Sequence, residues 1–109
     1  MRRVMIESPL AAATEEQRQA HVQYAARALL DSIQRGEAPL AMHLLYPMVL
    51  DDGDPDQRAL GMACAKQYYP HVEAVVFYTD HGMSPGMKVA QNIAMVLGLP
   101  VEWRSLGCE

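Results

Sequence analysis

The residues of this chain that could do chemistry gather in three short stretches: Glu7-Ser8-Pro9, His43 to Asp54, and Thr79 to Met87. Glu7 could serve as an acid, a base or an acceptor for a ribose hydroxyl; it could equally be a solvated strand end. His43 could hydrogen-bond a sugar or a base, or simply be a satisfied interior histidine. Tyr46, Asp51 and Asp52 follow in the same stretch, and Asp51-Asp52-Gly53-Asp54 could meet a hydroxylated ligand or a divalent cation. That run lacks the remaining positions of a calcium loop, so no metal is expected. Asp80, Ser84, Gly86 and Met87 complete the set. Ser84-Pro85-Gly86-Met87 at a helix start offers free N–H groups to a phosphate or another anion. The alternative reading is that Ser84 simply caps the helix and Pro85 occupies its first turn. No one residue is diagnostic; the argument is that the three stretches converge.

Convergence requires elements that place them together. Arg3 to Ile6 is a short apolar run broken by Glu7-Ser8-Pro9, which reads as a buried strand entering a loop. Thr14 followed by Glu15 and Glu16 is a helix start, and apolar residues from Val22 to Ile33 recur at helical spacing until Gly36, giving a helix over 15–35. Pro39 to Leu45 reads as a second strand ending near His43, and 46–55 as loop. Asp54-Pro55 opens a helix expected to run to about Tyr69. Ala74 to Tyr78 is the clearest strand; Met87 to Leu97 is helical and stops at Gly98; Pro100 to Trp103 is a last strand. This strand–helix alternation predicts one α/β domain over 1–109. It would be a small three-layer Rossmann-like (flavodoxin-like) unit, with about four parallel strands and helices on both faces. Ligands of such folds sit beyond the carboxyl ends of the strands, which is where the three stretches fall.

Composition narrows the classes. With 109 residues and a formal net charge of −4, both signs interspersed, the chain has no basic face for nucleic acid. Its apolar runs are far shorter than the roughly 18 residues of a membrane span, and the start is too short for a signal peptide. A cytoplasmic location is expected. Cys64 reads as buried packing and Cys108 as an exposed thiol near the end; neither belongs to a Cys-x-x-Cys pair. Tyr24, Tyr68 and Tyr69 fall on helices and read as packing. Glycine-rich dinucleotide, P-loop and nucleophile-elbow motifs are absent, and no cofactor is expected.

Ile6-Glu7-Ser8-Pro9, Gly36-Glu37-Ala38-Pro39 leading to His43-Leu44-Leu45-Tyr46, Leu50-Asp51-Asp52, Val75 to Asp80, and Ser84-x-Gly86-Met87 form an ordered set over Arg3 to Leu106. The set resembles a family of small uncharacterised bacterial and phage domains related to nucleoside 2-deoxyribosyltransferases. The resemblance implies a reduced Rossmann-like fold with a nucleoside or nucleotide pocket at the carboxyl edge of the sheet. It also implies ligand-facing roles for Ser8, Asp80, Ser84 and Gly86. In that superfamily a glutamate four residues beyond the loop glycine attacks the anomeric carbon; here that position is Ala90, which cannot form a glycosyl ester.

Two functions follow as expectations. One is a protein that binds a nucleoside, a nucleotide or a nucleotide-derived signal without covalent glycosyl transfer, as a sensor or a sequestering protein. The other is an N-glycosidase or deoxyribosyltransferase using Glu7 or Asp80 as its carboxylate. A small sheet with apolar residues on two helices further implies a homodimer or higher homo-oligomer with the pocket near the subunit boundary.

Overall fold

The computed structural model describes residues 1–107, so Cys108 lies outside the described residues. Four strands form one parallel sheet in the order β2-β1-β3-β4. They are β1 (Arg3–Glu7), β2 (Ala38–Leu40), β3 (Ala74–Tyr78) and β4 (Val101–Arg104). Helix α1 (Glu15–Gln34) joins β1 to β2; α2 (Met42–Leu45) and α3 (Pro55–Lys66) lie between β2 and β3; α4 (Pro85–Leu97) joins β3 to β4. Because the chain steps outward from β1 to β2 and then returns past β1 to β3, right-handed crossovers put α1 on one face and α2 to α4 on the other. The order therefore reverses at β1 and β3, whose carboxyl ends border the crevice that such sheets leave open.

Side-chain alternation along β1 and β3 supplies a core to each face. Met5, Val75 and Phe77 pack with Met42, Tyr69, Val72, Met87, Ala90 and Ala94, whereas Val4, Ile6, Ala74, Val76 and Tyr78 pack with Tyr24 and Ala28. Glu7 shares the parity of Met5 and so falls on the α3–α4 side. Local signals start the helices as their residue types dictate. Thr14 Oγ1 accepts from Gln17 N–H at 3.1 Å, Asp54 Oδ1 from Asp56 N–H at 2.9 Å, and Ser84 Oγ from Met87 N–H at 3.2 Å. Gly98 ends α4 in the left-handed region at φ +69°, which a side chain would resist.

Two expectations about segments need correction. The second strand stops at Leu40, and 42–45 is a helical turn followed by a 3-10 turn at Tyr46–Met48. β2 is an edge strand that pairs with β1 through three residues, so the apolar run beyond it gains nothing by staying extended and buries Met42 under the sheet instead. Likewise α3 stops at Lys66 rather than at Tyr69, and Tyr69–His71 forms a separate 3-10 turn around Pro70. Cys64 is half-buried rather than buried.

Candidate functional site

A cleft of about 490 Å³ opens between α2, α3, α4 and the carboxyl end of β1. Its volume is in the range of small-molecule sites. Its floor is Glu7 and Ser8, where β1 runs out of the sheet; Met42 and His43 flank them from α2. The α3 side brings Arg58, Lys66 and, just beyond the helix, Tyr69; the α4 side brings Ser84, Gly86, Met87 and Ala90. The intervening loop packs against Gly61, where a Cβ would make ordinary contact with Leu50 Cδ1 at 3.4 Å and Tyr46 Cβ at 3.5 Å.

Two hydrogen-bonded pairs define the floor. Tyr69 donates its hydroxyl to Glu7 Oε2 at 2.5 Å. Burial pushes the Glu7 carboxyl up to about 7, and the Tyr69 bond opposes that rise without cancelling it. Tyr69 is itself held protonated, by burial first and by the neighbouring Glu7 second, so it remains the donor. Glu7 Oε1 has no hydrogen-bond partner among the described residues and is not enclosed, so it faces the cleft.

In the second pair, Ser8 Oγ lies 2.8 Å from His43 Nε2. Burial depresses His43 to about 4, so the ring is neutral at ordinary pH. Its Nδ1 is buried without a partner. An enclosed N–H lacking an acceptor costs more than a bare ring nitrogen, so the balance of hydrogen bonds places the proton on Nε2, where it donates to Ser8 Oγ. In that tautomer His43 does not take the Ser8 proton, and the hydroxyl proton of Ser8 is left to donate to a ligand.

Of the residues singled out from sequence, the cleft gathers Glu7, Ser8, His43, Tyr46, Asp52, Ser84, Gly86 and Met87. Pro9, Asp51 and Asp80 are not among its walls. Pro9 is buried behind the floor, and Asp51 builds its own turn by accepting from Gly53 N–H at 2.9 Å. Asp80 belongs to the opposite face: it accepts from Tyr24 Oη at 2.5 Å, Ser105 Oγ at 2.5 Å and Leu106 N–H at 2.9 Å, tying the ends of β3 and β4 to α1. Its carboxylate is thus unavailable to a reaction in the cleft. Ser84 caps α4 in the structure. Because Pro85 has no N–H and that of Met87 is taken, Gly86 N–H is the open donor of this terminus.

Tyr69, Arg58 and Lys66 were not readable as site residues. Tyr69 looks like helix packing until the turn around Pro70 aims it at a strand 62 positions away. A Cβ on Gly86 would lie 3.9 Å from Arg58 Nη2, so the guanidinium sits beside the first turn of α4, and no local pattern announces that approach. Neither Arg58 nor Lys66 forms an ion pair among the described residues.

The model of a family described as a domain of unknown function, DUF7768, matches residues 2–104. The chain belongs to that family. No curated protein matches it. Among solved structures, the 2-deoxyribosyltransferase of the psychrotolerant bacterium Bacillus psychrosaccharolyticus, described as a biocatalyst for the synthesis of antiviral and antitumoral nucleosides, is similar. The TM-score is 0.65 at 18% identity, covering 98% of this chain and 74% of the other. This likeness is one of fold, and the DUF7768 chain has the parallel sheet and flanking helices that the sequence pattern and the family resemblance led one to expect. Among the described residues no helix is long and apolar enough to cross a membrane.

Proposed function

We propose that this protein binds a nucleoside, a nucleotide or a related small molecule in the cleft, without forming a glycosyl ester on α4. The observation that carries the reading is the composition of the cleft around Ala90. The wall that α4 presents is apolar there, with Ala90 packed beside Met87, while hydrogen-bonding groups come from the β1 end and α3. Glu7 Oε1 and the Ser8 hydroxyl suit a base edge or sugar hydroxyls; Arg58 and Gly86 N–H suit an attached phosphate. Likeness of fold to a protein used to make nucleosides supports the ligand class.

Thermal-shift and calorimetric titration with nucleosides, their 5′-monophosphates and ADP-ribose tests this. A ligand at 100 times its dissociation constant adds about 2.7 kcal/mol of stability. Absence of any shift or heat across the panel refutes the proposal. A homodimer accompanies this reading, because Met48, Val49, Met95 and Val96 expose 69–81% of their surface beside the same helices. A monomeric mass of 12.1 kDa by light scattering at micromolar concentration would overturn that part.

A further inference from the structure

We propose that the free edge of β4 is a docking surface for a second copy of this chain, which adds its own β4 antiparallel and joins the two sheets into one. The inference goes beyond the homodimer named above by placing the contact on a strand edge rather than on helices. It does not depend on what the cleft binds.

The two edges of the sheet differ in what their backbones offer. In β2, Ala38 N–H donates to Arg2 C=O at 2.8 Å, so Ala38 and Leu40 turn their main-chain groups to β1 and Pro39 is the residue facing outward. Proline has no N–H, and that edge is blunted at its centre. In β4, Pro100 C=O accepts from Val75 N–H at 2.9 Å and Arg104 C=O from Thr79 N–H at 3.0 Å, which turns residues 100, 102 and 104 to β3. Val101 and Trp103 therefore present their N–H and C=O groups to the open side, where they have no partner among the described residues.

The side chains agree with the backbone. Trp103, the single tryptophan of the chain, stacks on Phe77 with 4.9 Å between ring centroids and is still 51% exposed. A large aromatic left half wet beside unpaired main-chain groups has the makings of an interface centre. On α4 the core takes Met87, Ala90 and Ala94, and the cleft is also lined by Val89, Asn92 and Ile93. Helical spacing leaves the exposed Met95 on the flank turned from the cleft toward β4.

Charge selects the occupant and its register. With the two copies of Trp103 opposite one another on a two-fold axis, Glu102 of each chain falls opposite Arg104 of the other. The neighbouring register that also matches the outward groups sets Glu102 against Glu102 and is disfavoured. Each chain has one such edge, because Pro39 blunts the other, so the assembly closes at two copies. The cleft, on the other flank of α4, stays open.

Light scattering over micromolar concentrations, read together with tryptophan emission and amide exchange, tests this. The wild type is expected to reach about twice 12.1 kDa and no more. Along the same concentration curve Trp103 emission should move to shorter wavelength, and exchange at the Val101 and Trp103 amides should slow. Trp103→Pro removes an N–H that the fold itself does not use; it should weaken association by at least roughly 30-fold, two hydrogen bonds being lost at the axis. Circular dichroism checks that this variant folds, and if it does not, the emission and exchange curves of the wild type decide. A dimer whose Trp103 emission and edge amides ignore concentration, or one that survives Trp103→Pro, overturns the edge contact and leaves the homodimer standing on another surface. Growth beyond two copies overturns the closed pair. A mass of 12.1 kDa throughout overturns both the edge contact and the homodimer.

Discussion

The two faces of the sheet treat buried charge in opposite ways. Beneath α1, Arg104 forms a two-pronged pair with Glu37, both contacts at 2.7 Å. Glu37 also accepts from Arg2 at 2.6 Å and Ser32 at 2.9 Å, and both arginines reach Glu102. Tyr78 continues the network to Asp31 at 2.7 Å. Every carboxylate there has a cationic or hydroxyl donor, and the Arg104 bonds hold Glu37 down at about 2. On the α3–α4 face the buried carboxylate of Glu7 has, among the described residues, one neutral donor and is pushed up instead. Charges answered within the fold serve stability; a carboxyl left half answered beside a cleft is free to serve a ligand.

The largest effect expected from breaking this contrast is on the answered side. Arg104→Ala leaves Glu37 buried without its two-pronged partner, and urea unfolding should show a loss of about 3–5 kcal/mol. Because Glu37 is depressed, its contribution is complete above its unfolded value of 4.5 and fades as pH falls towards 2; the variant's deficit should shrink over that window.

Next in size are the opposed titrations of the cleft floor. Glu7 is raised from 4.5 to about 7, so the fold loses stability as pH rises through that interval. His43 is lowered from 6.5 to about 4, so the fold loses stability as pH falls through that one. In the wild type the two slopes largely offset between 4.5 and 6.5. Glu7→Gln should uncover the histidine slope and exceed the wild type at pH 8 by roughly 2–3 kcal/mol; His43→Leu should uncover the opposite slope. Thermal melts from pH 4 to 8 decide the matter, and parallel curves for the variants would count against it.

Smaller effects sharpen the boundary between the faces. Asp80→Asn removes a charged acceptor from the Tyr24, Ser105 and Leu106 bonds and should cost about 1.5 kcal/mol in denaturant midpoint, with ligand affinity unchanged. At the low end, Arg35→Ala breaks the surface pair with Asp31 at 2.9 Å, one turn along α1, for about 0.3–0.5 kcal/mol.

Sequence alone determined the parts governed by local physics. The buried run Ala74–Tyr78, the caps Thr14, Asp54 and Ser84, and the stop at Gly98 could all be read, because apolar spacing, a short polar side chain and glycine act within a few residues. The alternation of strands and helices then implied a parallel sheet with right-handed crossovers and a ligand crevice beyond the carboxyl ends of its strands. Only the tertiary structure decided what stands in that crevice. Glu7 and Asp80 look alike in sequence, each a carboxylate at or just past a strand end, yet side-chain parity turns Glu7 toward α3 and α4, while Tyr24 and Leu106 draw Asp80 to the other face. Tyr69 reads as packing until a turn around Pro70 brings its hydroxyl to Glu7, and Arg58 carries no local signal until α3 lies beside Gly86. Those contacts span 62 and 28 positions of chain, and their partners are set by how helices cross a sheet, a relation that no short stretch of residues encodes.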